Sequence, residues 1–266
     1  DLESLKVAFR RLINIVPGSG LIVAGVDSPV VRELIPAAFS RVATVGIESG
    51  DWRARNIVQA DDGMRFEVWS GDTSVGSFAI PMLGTFNVRN ALDVIVTAKE
   101  LGLSNDAIQA GLTSFKSVKR RLELKGEANR IRVYDDFAHH PTAVAETLSA
   151  VRQRYPADRI WAIFEPRSQT CRRRIFENDF IKAFDQANQI VIARVFGASR
   201  LLPEDQLSPD RLVEGIRGRG RLAKTFDSTA EIVEYVASHA TPGDHIVVMS
   251  NGGFDGIHGK LLSALQ

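Results

Sequence analysis

From residue 122 onward, short apolar runs alternate with segments of helical period, and that alternation leaves few folds open. Runs at 130–134, 160–164, 189–193, 223–226 and 245–249 read as strands, and 143–155, 173–187, 208–217 and 229–240 as helices. A strand–helix–strand series folds as a mostly parallel sheet covered on both faces, because each crossover must return over the sheet. This implies an α/β, Rossmann-like unit. Residues 122–124 and 130–134 bracket a predicted hairpin turn at Lys125-Gly126-Glu127-Ala128-Asn129.

The preceding part has a different grammar. Leu2, Leu5, Phe9 and Leu12 recur at helical spacing, and Pro17-Gly18 ends that helix. Strand-like runs at 21–26 and 42–47 flank a helix at 30–38, and the strands Phe66-Glu67-Val68-Trp69 and 74–80 join at Ser70-Gly71-Asp72. Helices are predicted at 90–101 and 104–114. The domain boundary is placed near Arg121, giving units 1–121 and 122–266. The second has the size of an ordinary domain. The first looks incomplete. Because Asp1 already lies in a helical pattern, the expectation is a piece of a longer protein.

Composition removes several classes of function. The net charge is +1, so nothing electrostatic favours nucleic acid or an acidic membrane surface. Cys171 is the sole cysteine, which excludes an intrachain disulfide and a cysteine-based zinc cluster. No apolar run is long enough to span a bilayer. A cytoplasmic protein is expected.

The densest chemistry lies in Val133-Tyr134-Asp135-Asp136-Phe137-Ala138-His139-His140-Pro141-Thr142, where a strand runs through two acids and two histidines into a helix. Ligands of open α/β sheets sit at the carboxyl ends of strands. Asp136 there could bind ribose hydroxyls or steer a protonated histidine, or simply cap the turn. The spacing matches no standard metal motif. In Gly84-Thr85-Phe86-Asn87-Val88-Arg89-Asn90-Ala91, Asn87 and Asn90 share a helix face. Amides offer the donor and acceptor that an adenine edge needs, although Asn87 could equally be an N-cap. Lys119-Arg120-Arg121 is a basic cluster before a strand. Phe164-Glu165-Pro166-Arg167-Ser168 follows another strand, and Arg167 could hold a carboxylate. Ser250-Asn251-Gly252-Gly253-Phe254-Asp255-Gly256-Ile257-His258-Gly259-Lys260 is a glycine-rich loop leading into a helix. Its glycines allow close backbone approach to a ligand, but Leu261 after Lys260 rules out a Walker P-loop.

These blocks resemble the Mur ligases, ATP-dependent amide-forming enzymes of bacterial cell-wall synthesis. The Asp-Asp-Phe-Ala-His-His-Pro-Thr block resembles theirs closely. Asn87 and Asn90 match their His-Asn-Val-x-Asn-Ala block, with Phe86 in place of the histidine. The Phe-Glu-Pro-Arg-Ser and Ser-Asn-Gly-Gly-Phe blocks resemble the subgroup that adds a whole peptide rather than L-alanine. The resemblance implies a central ATPase-type portion followed by the C-terminal domain. It implies catalytic roles for Arg121, Asp136 and His139, and ATP contacts from Asn87, Asn90, Arg121 and Asp136. Substrate contacts would come from His140, Arg167, Ser168, Asn251, Gly252 and Gly253. The implied partners are ATP with Mg2+, UDP-N-acetylmuramic acid and the recycled tripeptide L-Ala-γ-D-Glu-meso-diaminopimelate, joined through an acyl-phosphate. The family's Gly-x-x-Gly-Lys-(Thr/Ser) phosphate loop is missing here, so the chain alone is expected to be inactive. The rival readings are the L-alanine-adding member of the family and a non-catalytic peptide-binding module. A nucleotide-dependent oxidoreductase is disfavoured, because no Gly-x-Gly-x-x-Gly follows the strand at Tyr134.

Overall fold

The computed structural model describes residues 1–195, 202 and 205–266. The chain divides into two compact units, Asp1–Lys116 and Ser117–Gln266.

In the first unit the elements run α1 (Leu2–Asn14), β1 (Leu21–Gly25), α2 (Pro29–Leu34), β2 (Arg41–Gly46), β3 (Trp52–Ala60), β4 (Gly63–Ser70), β5 (Thr73–Ile80), α3 (Thr85–Glu100) and α4 (Asn105–Ser114). β1, β2 and β3 are parallel neighbours, and β3–β4–β5 is an antiparallel meander. Phe66, Val68, Phe78 and Ile80 pack with Val88, Leu92 and Ile95 of α3. α1 buries none of its residues, and Leu2, Leu5 and Phe9 are exposed.

The strand β3 has no counterpart in the sequence reading. Its residues include the polar Arg53, Arg55, Asn56 and Gln59, and its alternation is broken by a bulge between Arg55 and Val58 with Asn56 at φ 49°. A bulge shifts the side-chain period by one residue and hides the strand pattern.

The second unit contains β6 (Glu123–Ala128), β7 (Ile131–Asp136), α5 (Pro141–Arg154), β8 (Ile160–Phe164), α6 (Glu177–Ala183), β9 (Gln189–Ala193), α7 (Pro209–Gly218), β10 (Leu222–Phe226), α8 (Thr229–His239), β11 (His245–Met249) and α9 (Ile257–Ala264). The sheet order is β10-β9-β8-β11-β7-β6, parallel except for β6. Chain order runs in one direction from β7 through β8 and β9 to β10, skipping one position beside β7. Right-handed crossovers therefore place α5, α6 and α7 on one face, where Leu148, Phe180 and Leu212 share a core. The chain then returns to put β11 in the skipped position. That reversal sends α8 and α9 to the opposite face, where Ile232, Val236, Ile257 and Leu261 share a second core.

Two boundaries differ from the sequence reading. The β6–β7 hairpin turns at Asn129-Arg130, both with left-handed φ of 49° and 61°, as a two-residue loop requires. The predicted turn at 125–129 is mostly strand instead, and its charges suit an edge strand. The predicted helix at 173–187 shrinks to α6, preceded by a single 3-10 turn at Arg174–Phe176.

His245, given no role by the sequence, starts β11 inside a polar cluster. Its Nδ1 lies 3.3 Å from Tyr134 Oη and its Nε2 3.0 Å from Asp158, and the Tyr155 ring stacks on it at 3.7 Å. Burial holds its pKa below the usual 6.5 despite Asp158. The unfolded chain then takes the proton first, so the stability present above pH 6.5 is lost as pH falls below it. His140 and His258 shift in the same direction, mainly through burial. Asp136 has the opposite sign, with its carboxyl raised above 3.8 by burial, and it acts at lower pH. Each depressed histidine contributes up to about 1.4 kcal/mol per pH unit. The urea midpoint should therefore fall between pH 7.5 and 5.5, and less so in His245→Gln. Equal midpoints at the two pH values would contradict this.

Candidate functional site

The return of β11 creates a switch point. The neighbouring strands β7 and β11 send their following helices, α5 and α9, to opposite faces, and a crevice opens beyond their carboxyl ends. Met249 is in register with Asp136 on one side and Phe164 on the other. The segments after β7, β11 and β8 therefore stand side by side, and these are three of the motifs singled out above.

Alternation along β7 points Asp135 and Asp136 to opposite faces. Asp136 is only 3% exposed. Its Oδ1 accepts Ala138 N at 2.8 Å and Thr147 Oγ1 at 3.3 Å, and its Oδ2 accepts Leu122 N at 2.7 Å. Both oxygens are thus engaged by the chain itself, and the carboxylate fixes the turn and the segment entering the unit. Asp135 meets Arg120 Nε at 3.3 Å and His258 Nε2 at 3.4 Å.

Of the two neighbouring arginines, Arg120 turns into the crevice and Arg121 outward. Arg120 and Leu122 have left-handed φ of 62° and 49°. The Arg120 guanidinium donates to the Ser250 carbonyl and, at 2.9 Å, to that of Gly252, and it lies over the Phe137 ring. Arg121 is exposed and acts on Asp136 through its charge. His139 holds its Nδ1 2.8 Å from Phe137 O, and its ring lies 5.0 Å from that of His140. Burial, then the nearby His139 charge, keep His140 below its usual pKa.

After β8, Glu165 is buried and Arg167 lies 3.6 Å from it. Ser168 closes a turn, exchanging bonds with Cys171 through Ser168 N to Sγ at 3.0 Å and Cys171 N to Oγ at 3.1 Å. After β11, Ser250 N donates to Asp136 O at 3.2 Å, and Ser250 Oγ donates to Glu165 Oε2 at 2.5 Å. Gly252 N donates to Ser250 Oγ at 2.8 Å. A Cβ on Gly252 would stand 2.3 Å from Arg167 Cδ and Nε, so the guanidinium stem lies across this glycine. Asn251 Oδ1 is buried without a hydrogen-bond partner. Phe254 and Asp255, beyond Gly253, have left-handed φ of 43° and 50°, and the chain then enters α9. Gly259 and Lys260 lie inside that helix, and Lys260 pairs with Asp255.

The structure thus brings Asp136, His139, His140, Arg167, Ser168, Asn251, Gly252 and Gly253 to the carboxyl edge of one sheet. Asn87 and Asn90 lie in the first unit. α3 begins at Thr85 after Gly84, so Asn87 is inside the helix rather than its N-cap. Asn87 Nδ2 donates to Leu83 O at 2.7 Å and Asn90 Nδ2 to Asn87 Oδ1 at 3.4 Å, so the two amides do share a face. Sequence reasoning passed over Arg120, Glu165, Ser250 and His258 as site residues. The usable signal was an acid directly after a wholly apolar strand, as at Glu165.

A parallel sheet with polar strand ends flanking a switch point defines a doubly wound α/β binding domain. The sequence matches the Mur ligase middle domain over residues 1–98 and the Mur ligase glutamate ligase domain over 120–252. The chain belongs to the Mur ligase family, whose members are ATP-dependent ligases. It is 35% identical over 267 residues to the Escherichia coli UDP-N-acetylmuramate–L-alanyl-γ-D-glutamyl-meso-2,6-diaminoheptandioate ligase, covering 100% of this chain and 56% of that protein. It is 32% identical to the UDP-N-acetylmuramate–L-alanine ligase of Clostridium perfringens, over 95% of this chain and 55% of that protein. A crystal structure of a murein peptide ligase from Psychrobacter arcticus superposes with TM-score 0.70 at 30% identity, covering 99% of this chain and 55% of that one. The chain therefore spans about half the length of the relatives it matches. No described helix is long and apolar enough to cross a membrane.

Proposed function

We propose that this chain is the nucleotide- and peptide-handling part of a ligase that joins UDP-N-acetylmuramic acid to the recycled tripeptide L-Ala-γ-D-Glu-meso-diaminopimelate. The observation that carries this reading is the contact of two blocks, Glu165-Pro166-Arg167-Ser168 and Ser250-Asn251-Gly252-Gly253, with Arg167 across Gly252. Both blocks resemble those of the peptide-adding subgroup. In the reaction, ATP converts the lactyl carboxylate to an acyl-phosphate, and the tripeptide amine displaces phosphate. The protein must bring amine and acyl carbon together and offset the charge on the transferring group.

Arg167 would take a peptide carboxylate through its guanidinium fork, with the loop at Asn251 to Gly253 presenting backbone N–H groups. Asn87 and Asn90 would read an adenine edge, and Arg121 would meet phosphate oxygens. Asp136, its oxygens already bonded, would hold the turn that presents His139 and His140. Among the described residues no group of three or more His, Cys, Asp or Glu could hold a metal ion.

The test is calorimetric titration of the chain with the tripeptide, with L-alanine as the competing ligand. Saturable tripeptide binding is expected, at least about 10-fold weaker in Arg167→Ala, since a charge-assisted pair contributes about 1.5–3 kcal/mol. Binding of L-alanine in preference to tripeptide would favour the single-amino-acid reading. No heat with either ligand would remove the peptide site from this chain.

A further inference from the structure

We infer that Glu165 is a positioning residue of the crevice, a buried carboxylate that holds the Ser250–Gly252 turn in shape through the Ser250 hydroxyl. It has no part in the roles assigned above, and the inference rests on the reading of this crevice as a peptide site.

Glu165 is the first residue beyond β8, and its N–H donates to Met249 O at 3.0 Å, which pins it to the end of β11. Its side chain is more than nine-tenths buried. From there a relay runs outward. Ser250 Oγ donates to Glu165 Oε2 at 2.5 Å, and the same oxygen accepts Gly252 N at 2.8 Å. A hydroxyl giving its proton to a carboxylate makes a short, strong bond, and its lone pairs then face the Gly252 N–H. Arg120 holds the Ser250 and Gly252 carbonyls, so the turn is gripped by an acid through its hydroxyl and by a base through its carbonyls. The remaining carboxylate oxygen faces Arg167 at 3.6 Å. One buried group therefore orders both sides of the crevice before a ligand arrives, which lowers the ordering cost of binding.

The mechanism makes Glu165 act through Ser250, which a double-mutant cycle tests. Hydrogen exchange would be followed at residues 250–253 in Glu165→Ala, Ser250→Ala, the double variant and Glu165→Gln, with β9 and α7 as controls for global unfolding. Tripeptide affinity would be measured on the same proteins. Each alanine variant should raise exchange in the turn at least 10-fold, and the double variant no further. Glu165→Gln keeps an oxygen for the Ser250 hydroxyl and should restore protection of the turn to near wild type, with only part of the tripeptide affinity recovered, because its NH2 then faces Arg167 without a charge. A protected turn in Glu165→Ala, additive single effects, or a glutamine variant as impaired as the alanine one would each overturn the inference. If wild type binds no tripeptide, the peptide reading fails, while the exchange measurements still decide the role of Glu165.

Discussion

Replacing Asp136 by alanine should lower the melting temperature of the second unit by about 10 °C. The side chain accepts three bonds in a buried position, from Ala138 N, Leu122 N and Thr147 Oγ1. Alanine leaves these donors without a partner, and each stranded buried donor costs about 1–3 kcal/mol. Part of that loss is offset, because the ionised carboxylate is itself desolvated, as its raised pKa indicates. A net loss of about 3 kcal/mol remains, and about 2–4 °C per kcal/mol applies at this size. Asp136→Asn should recover roughly half, since its carbonyl still serves Ala138 and Thr147 while its NH2 opposes Leu122 N. Differential scanning calorimetry checks both variants. An alanine variant melting within 2 °C of wild type, a threshold of roughly half a kcal/mol, would contradict the anchoring role.

Gly252→Ala should separate stability from function. Its added Cβ would overlap the middle of the Arg167 side chain at 2.3 Å rather than any backbone. A flexible side chain yields by leaving, so the fold should be kept, with a melting change of at most about 2 °C. The departed guanidinium can no longer meet the ligand, and tripeptide affinity should fall by about 30-fold, close to 2 kcal/mol. Arg167→Ala would then add little on top, because both changes remove the same contact. Wild-type affinity in the glycine variant would mean that Arg167 does not touch the peptide.

The α/β architecture of the second unit was legible because each apolar run is short, β-branched and followed by a helical segment. What escaped was set by geometry that leaves no trace in residue type. β3 hides behind a bulge and a run of polar residues, and the charged edge strand β6 resembles a turn in composition. In the site, the strand-end motifs could be found because acids, arginines and glycines there directly follow apolar strands. The division of labour between Arg120 and Arg121 could not. It depends on left-handed φ at Arg120 and Leu122, and neither is a glycine that would announce it.

The place of β11 has a consequence for synthesis. The ribosome delivers β7 and β8 long before the strand that lies between them, so each waits with an unpaired edge until His245–Met249 has emerged. At about 5–20 residues per second that wait lasts several seconds, and during it two apolar edges are open to wrong partners. The crevice is therefore the last part of the unit to come into being. A chain halted before His245 would carry Asp136 and Glu165 but no wall between them.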